Sequence, residues 1–297
     1  MFERLIRGQI GKQEEKLDRF LSKHEKEHPF PEDVTLVADL DCQSDGVARH
    51  RIDVLRPTGV DGVLPVVLDI HGGGFLLGSK EVNRLFCADL CKRGFLVLSA
   101  EYPLAPDADI FTILRGLCDL LRKVPEVAAR FCGDVSRFFL VGDSAGAWLA
   151  LYLAAMQKSE ALAAAAGVDP PDTPRVCALG LQSGMFYTQK LDNIGLFLPS
   201  LIYGKGFRRH PFFPYANPEH TEILSHLPPV FLVTGWGDFL RHYSRAYAKA
   251  LCAFGVPTHF LDLKMSKRLP HAYPAILPEL PASKEANDAM ADFFKNV

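Results

Sequence analysis

The sequence predicts an α/β fold, a mostly parallel central sheet with helices on both faces, and three observations carry that expectation. Short apolar runs alternate with stretches of helical periodicity along most of the chain. One of them, Leu64-Pro65-Val66-Val67-Leu68-Asp69-Ile70, is nearly continuous in its apolar character, which suits a strand buried on both faces. Another, ending Phe138-Phe139-Leu140-Val141, passes through Gly142-Asp143-Ser144-Ala145-Gly146 into the alanine- and leucine-rich run Trp148 to Ala155. Crossovers between such parallel strands should be right-handed.

Composition sets the bounds. At 48% hydrophobic and 23% charged, the 297 residues have ample material for a core and read as an ordinary globular chain. One domain spanning 1–297 with an insertion is the simplest account of that length. A net charge of −2 gives no pointer to nucleic acid or an anionic membrane, both of which call for a basic patch. No apolar run approaches the roughly 20 residues of a membrane span, and Met1 to Arg7 interleaves charges with apolar residues rather than building a signal-peptide core. The seven cysteines include no Cys-x-x-Cys pair, and Cys87 and Cys91 suit buried thiols in a helix better than a metal site. A reducing cytoplasm is the expected location.

Residues 1 to about 28 offer an interrupted apolar stripe (Phe2, Leu5, Ile6, Ile10, Leu17, Phe20, Leu21), with Gly8 and Gly11 allowing two short helices. Pro29-Phe30-Pro31 ends that segment. Val34 to Leu40 and His50 to Leu55 read as an antiparallel edge pair around the turn-rich Ser44-Asp45-Gly46. After the Leu64 to Ile70 strand come a helix near Val82 to Lys92, a buried strand Phe95 to Ala100, and a helix Ile110 to Val124. Beyond the Ser144 unit, Ala161 to Ala166 is alanine-biased, and Val176 to Leu181 and Val230 to Thr234 are further strands. The insertion between those two, Gly184 to about Leu227, has no clean strand and many aromatics. Tyr243 to Phe254 is a helix, His259 to Leu263 the last strand, and Lys284 to Phe294 the closing helix.

Gly142-Asp143-Ser144-Ala145-Gly146 has the form of a nucleophile elbow, which holds Ser144 at a tight strand-to-helix turn. Glycines two residues before and two after let the neighbouring chain pass close, and the helix N-terminus favours an anion formed there. A serine hydroxyl is a poor nucleophile at neutral pH, so it needs a base, and the base needs a group to hold its tautomer. Such groups collect at the carboxyl ends of parallel strands. Asp238 follows Val230 to Thr234, and His271 follows His259 to Leu263. A helix N-cap and a solvated loop are the plain structural alternatives for these two. Asp262, His242 and His259 are rivals, but none follows a strand end as Asp238 and His271 do. His71-Gly72-Gly73-Gly74 runs straight out of a strand, and three glycines let successive N–H groups point into one space. With Ala145 N–H, Gly73 and Gly74 supply a three-donor oxyanion hole, each donor contributing about 3 kcal/mol to the transition state. His71 is expected to be structural, its ring bonding within the loop.

These motifs resemble the hormone-sensitive-lipase-like branch of the α/β-hydrolase superfamily, a group of serine carboxylesterases and acetyl esterases. The matching pieces are His71-Gly72-Gly73-Gly74-Phe75, Gly142-Asp143-Ser144-Ala145-Gly146, Glu101-Tyr102-Pro103-Leu104-Ala105-Pro106-Asp107, Asp238-Phe239-Leu240 and His271. From about residue 35 onward they keep the family's order. The resemblance implies an α/β-hydrolase core, the triad Ser144, Asp238 and His271, the oxyanion hole Gly73, Gly74 and Ala145, and a helical cap. The cap would comprise about 1–30 and the insertion, about 184–227. Departures are Pro103 in place of an arginine, Asp107 in place of its longer acidic partner, Ala147 for a glycine, and Ala272-Tyr273 where glycine-phenylalanine is common.

The expected reaction is hydrolysis of short-to-medium acyl esters through an acyl-enzyme, with no metal or cofactor. Phe75, Phe186, Phe207 and Phe212 are candidate contacts to a small-molecule ester substrate, and Arg208, Arg209 and His210 form a short basic cluster nearby in sequence. A sugar deacetylase or an amidase would use the same triad. A non-catalytic receptor on this fold, as in the plant gibberellin receptors, typically lacks the triad histidine, whereas His271 is present here. The family often pairs through edge strands, so a homodimer is a further expectation.

Overall fold

The chain is seen in a computed structural model that describes residues 2–42, 51–264 and 269–297. Its strands are β1 (Val34–Asp41), β2 (Arg51–Pro57), β3 (Leu64–Ile70), β4 (Leu96–Ala100), β5 (Gly133–Asp143), β6 (Val176–Gln182), β7 (Val230–Gly235) and β8 (Thr258–Leu263). They form one sheet in the order β1-β2-β4-β3-β5-β6-β7-β8. β2 runs antiparallel to both β1 and β4, and every other pairing is parallel. The expected antiparallel edge pair is therefore present, although Ser44-Asp45-Gly46 and His50 lie outside the described residues.

The helices are α1 (Phe2–Glu27), α2 (Arg84–Lys92), α3 (Ile110–Arg130), α4 (Ala145–Met156), α5 (Glu160–Ala166), α6 (Asn193–Ile202), α7 (Thr221–Leu224), α8 (Arg241–Phe254), α9 (Tyr273–Ile276) and α10 (Pro281–Lys295). Alternation along the strands divides the core in two. Val66, Leu68, Leu140, Leu179 and Leu181 face a layer built from α3, α4 and α8. Val67, Val97, Phe139, Ala178 and Phe231 face α2 and α10, where the Phe294 ring stacks on Phe139 at 4.4 Å. Both faces of the central strands are thus covered, which is why they read as continuous apolar runs.

Several elements differ from the sequence expectation for physical reasons. The N-terminal segment is one helix, because Gly8 and Gly11 stand in open space and cost only propensity, about 1 kcal/mol each. α3 runs through Pro125 to Arg130; the proline forgoes one ladder bond, but Val127 and Ala128 beyond it are buried. The alanine-biased stretch is α5, started by Ser159, whose Oγ accepts from Leu162 N–H at 3.0 Å. A 3₁₀ turn at Lys80–Asn83 leads into α2. The insertion holds α6, α7 and two 3₁₀ turns (Phe207–Arg209 and Phe213–Ala216), with no strand among its described residues. Leu198, Ile202, Tyr203, Phe207 and Phe212 of the insertion belong to the same buried cluster as α3 and α4.

Candidate active site

Four strand ends meet on one rim of the sheet. β3 leads into His71-Gly72-Gly73-Gly74, β5 into Ser144, β7 into the Asp238 turn and β8 into the segment that carries His271. Because β3 and β5 are hydrogen-bonded neighbours, the glycine loop lies beside the serine turn.

Ser144 is buried and has φ 50° and ψ −112°, a conformation that costs a non-glycine residue about 1–3 kcal/mol and survives only when its surroundings enforce it. The enforcement is visible. Ser144 N–H donates to Gln182 O at 2.9 Å, and Met185 N–H donates to Ser144 O at 2.9 Å. A Cβ on Gly146 would lie 1.8 Å from Ile70 O, and one on Gly142 would lie 2.5 Å from the Gly146 carbonyl carbon. Both glycines are required by close backbone approach. Ala145 opens α4, so its N–H lies outside the helical ladder.

The glycine loop has positive φ at Gly73 (111°) and Gly74 (65°), and Gly73 O accepts from Leu76 and Leu77 N–H at 3.1 Å each. Gly72 N–H is already committed, donating to Asp143 Oδ1 at 2.8 Å. Gly73 and Gly74 N–H have no such acceptor among the described residues. His71 is fully buried; its Nδ1 lies 2.8 Å from Gly72 O, its ring stacks on Tyr102 at 4.3 Å, and Tyr102 OH donates to His71 O at 2.7 Å.

Asp238 and His271 are brought together, with Nδ1 to Oδ1 at 2.6 Å. Asp238 also accepts from Thr234 Oγ1 at 2.7 Å and from Leu240 N–H at 2.8 Å. Burial pushes its carboxyl up, but the His271 hydrogen bond and charge, then Thr234 and Ser183, bring it below the ordinary carboxylate range. Ser183 Oγ also accepts from Ala272 N–H at 3.1 Å, at a residue with φ 51° where the family's glycine would be relaxed. The rivals are elsewhere engaged. Asp262 holds Arg241 through two 2.8 Å contacts and Arg245 at 3.1 Å, His259 stacks on Phe231, and His242 packs edge-on to Tyr243.

Under the serine turn lies a buried acid pair that the motif reading passed over. Asn83 Nδ2 donates to Asp143 Oδ1 at 2.9 Å and lies 3.2 Å from each oxygen of Asp69, which also accepts from Ser99 Oγ at 3.3 Å. Burial, then the Asp143 charge, raises Asp69 to about 8; burial raises Asp143 as well. At neutral pH the pair therefore does not carry two charges. The only trace of Asp69 in the sequence is an acid inside an apolar strand. Ser183 and Thr234 left no trace, since their roles arise from where β6 and β7 end.

The four candidate substrate contacts pack against other rings. Phe75 meets Trp148 edge-on at 5.6 Å, Phe186 stacks on Tyr247 at 4.5 Å, Phe207 on Tyr203 at 3.8 Å, and Phe212 is fully buried beside Phe111 and Tyr152. None lines the cavity of about 970 Å³ that opens between α1 and α6. Its apolar wall is Leu76, Leu77, Phe197 and Leu201, and its polar wall is the Gln9 to Arg19 face of α1. Ser144 and His271 are not in that wall, but Leu76 and Leu77 tie the cavity to the glycine loop. Arg208 and Arg209 are exposed, and His210 stacks on Phe111. Asp107 meets Arg7 of α1 at 2.9 Å, an exposed pair of little energetic weight.

A family profile described as alpha/beta hydrolase fold matches residues 67–274. The carboxylesterase NlhH of Mycobacterium tuberculosis is 30% identical over 258 residues, covering 82% of this chain and 76% of its own length. Versiconal hemiacetal acetate esterase of Dothistroma septosporum is 26% identical over 275 residues, 86% of this chain and 78% of that protein. Among solved structures, esterase B of Lactobacillus rhamnosis superposes with a TM-score of 0.90 at 23% identity, covering 99% of this chain and 95% of that one.

Proposed function

Because the chain belongs to the α/β-hydrolase fold family, in its hormone-sensitive-lipase-like branch, and is a hydrolase of the carboxylesterase kind, we propose that it cleaves short-to-medium acyl esters through Ser144, His271 and Asp238. With Nδ1 engaged by Asp238, His271 uses Nε2 to take the proton from Ser144 Oγ, which attacks the ester carbonyl. The oxyanion forms against Gly73, Gly74 and Ala145 N–H, with the α4 N-terminus behind it. His271 then protonates the leaving alcohol, and water repeats the cycle on the acyl-enzyme. Asp238 stays ionised, in keeping with its depressed protonation. The cap consists of α1 and the insertion, and the cavity between α1 and α6 takes one arm of the substrate. The seven unpaired cysteines suit a reducing compartment such as the cytoplasm.

The observation that carries this reading is the 2.6 Å His271–Asp238 contact at the rim where the Ser144 turn ends β5. It is tested by Ser144→Ala, which should lower kcat/KM for p-nitrophenyl butyrate by at least about 10⁴-fold with the fold intact. Hydrolysis persisting at the unmodified rate would rule the assignment out. A panel of esters of graded acyl length, acetylated sugars and aryl amides then separates esterase from deacetylase and amidase action.

A further inference from the structure

The C-terminal end of α1 carries two histidines that ester hydrolysis does not use. His28 N–H donates to His24 O at 2.8 Å, so the helical ladder continues and the two side chains stand one turn apart on one face. Both rings approach the same carboxylate. His24 Nε2 is 3.1 Å from Oε2 of Glu279, and His28 Nε2 is 3.8 Å from its Oε1. The ligand atoms of the three residues all lie within 4.8 Å of one another.

That spacing is what a small divalent ion requires. A tetrahedral ion with bonds of about 2.1 Å sets its ligand atoms about 3.4 Å apart, and the two nitrogen–oxygen separations bracket that value. Two imidazoles and one carboxylate are the donor set of zinc, cobalt, nickel and copper, whereas calcium and magnesium prefer oxygen alone. His24 is buried and stacked on Phe20 at 5.4 Å, so one ligand is fixed in advance. His28 and Glu279 are partly exposed, which leaves a path from solvent. The other converging acid cluster, Asp39, Asp53 and Glu81, makes the contrast clear. Lys80 Nζ sits among them, 2.9 Å from Asp39 and 3.0 Å from Asp53, and is itself their cation. Glu279 has no lysine or arginine partner among the described residues.

We propose that His24, His28 and Glu279 bind one divalent transition-metal ion of the zinc class, which fastens α1 to the loop between α9 and α10. Such a clamp answers a weakness in the fold. Among the described apolar side chains of α1, Ile10, Leu17 and Leu21 are only half-buried and Phe20 is exposed, so apolar packing along this part of the helix is loose. The same helix walls the cavity from Gln9 to Arg19, and Glu279 follows His271 by eight positions. The ion thus joins the helix over the cavity to the segment that bears the proposed base.

The test uses tag-free chain stripped with EDTA, dialysed, and titrated with Co²⁺ while visible absorption is read. The expected result is a saturable band reaching its plateau at one equivalent and bleached by one equivalent of Zn²⁺. His28→Ala and Glu279→Gln, at partly exposed positions, should each weaken Co²⁺ binding at least about tenfold while far-ultraviolet circular dichroism stays unchanged. Zn²⁺ should raise the Tm of the unmodified chain and leave that of His28→Ala where it was. Absence of a one-equivalent band would overturn the proposal. So would Co²⁺ affinity unchanged from that of the unmodified chain in both variants, since the ion would then be bound elsewhere.

Discussion

Asp238 and Asp69 are both buried carboxyls, yet their surroundings push them in opposite directions. Asp238 is held low by His271, Thr234 and Ser183, so the stability it lends is full above the ordinary carboxylate range and is lost as pH falls through its folded value. Asp69, raised to about 8 beside Asp143, keeps a proton that the unfolded chain releases near pH 4. Its contribution to stability therefore declines as pH rises from about 4 to about 8 and is level outside that window. Asp69→Asn should accordingly gain on the unmodified chain between pH 5 and pH 8, read from urea midpoints. A difference independent of pH would mean that Asp69 is not the protonated member of the pair. On activity, Asp238→Asn should lower kcat by about 10³–10⁴-fold through the wrong imidazole tautomer. Asp262→Asn should leave kcat within about threefold, because Asp262 faces Arg241 and Arg245 and not His271; the reverse ranking in steady-state kinetics would assign the acid wrongly. From the sequence, Asp238 and Asp262 differed only in their place relative to a strand end. The hydrogen bonds that distinguish them reach Asp238 from His271, 33 residues on, and from Thr234 of β7, whereas Asp262 is held by Arg241 and Arg245 of α8.

The element on which the site depends is the β5–α4 turn packed against β3. A Cβ on Gly146 would meet backbone oxygens of Ile70 and His71, which cannot swing aside as a side chain would. Gly146→Ala should therefore separate α4 from β3, destabilise the chain by about 1–3 kcal/mol in chemical denaturation, and cut ester hydrolysis by more than that loss of folded chain explains. Unchanged stability and rate would show that the turn is not under the constraint described. Strands were legible at this scale because burial on both faces leaves an uninterrupted apolar signature, and Leu64–Ile70 was bounded to the residue. Helices were less so. The packing of Val127 and Ala128 carries α3 past Pro125, and open space beside Gly8 and Gly11 lets α1 continue, and neither circumstance is local in sequence.

In the whole molecule, one rim of the sheet carries the groups proposed to react, while α1, α6 and Leu76-Leu77 wall the cavity. Filling that cavity should change selectivity before it changes chemistry. Leu201→Trp is expected to lower kcat/KM for octanoyl p-nitrophenyl esters at least about tenfold while acetyl esters lose less than about threefold. Equal losses across acyl lengths would remove the cavity from the substrate's path. The residues proposed to react could be singled out in the sequence because each follows a strand end. The cavity could not, because its wall is drawn from α1, α6 and Leu76-Leu77, segments far apart in the chain, while Phe75, Phe186, Phe207 and Phe212 are buried in the core. Everything proposed for the chemistry rests on Ser144 being the activated nucleophile. Labelling the folded chain with a fluorophosphonate and locating the adduct by peptide mass spectrometry tests that most directly. One adduct per chain on Ser144, lost with His271→Ala, is the predicted result; no adduct, or an adduct on another serine, would contradict it.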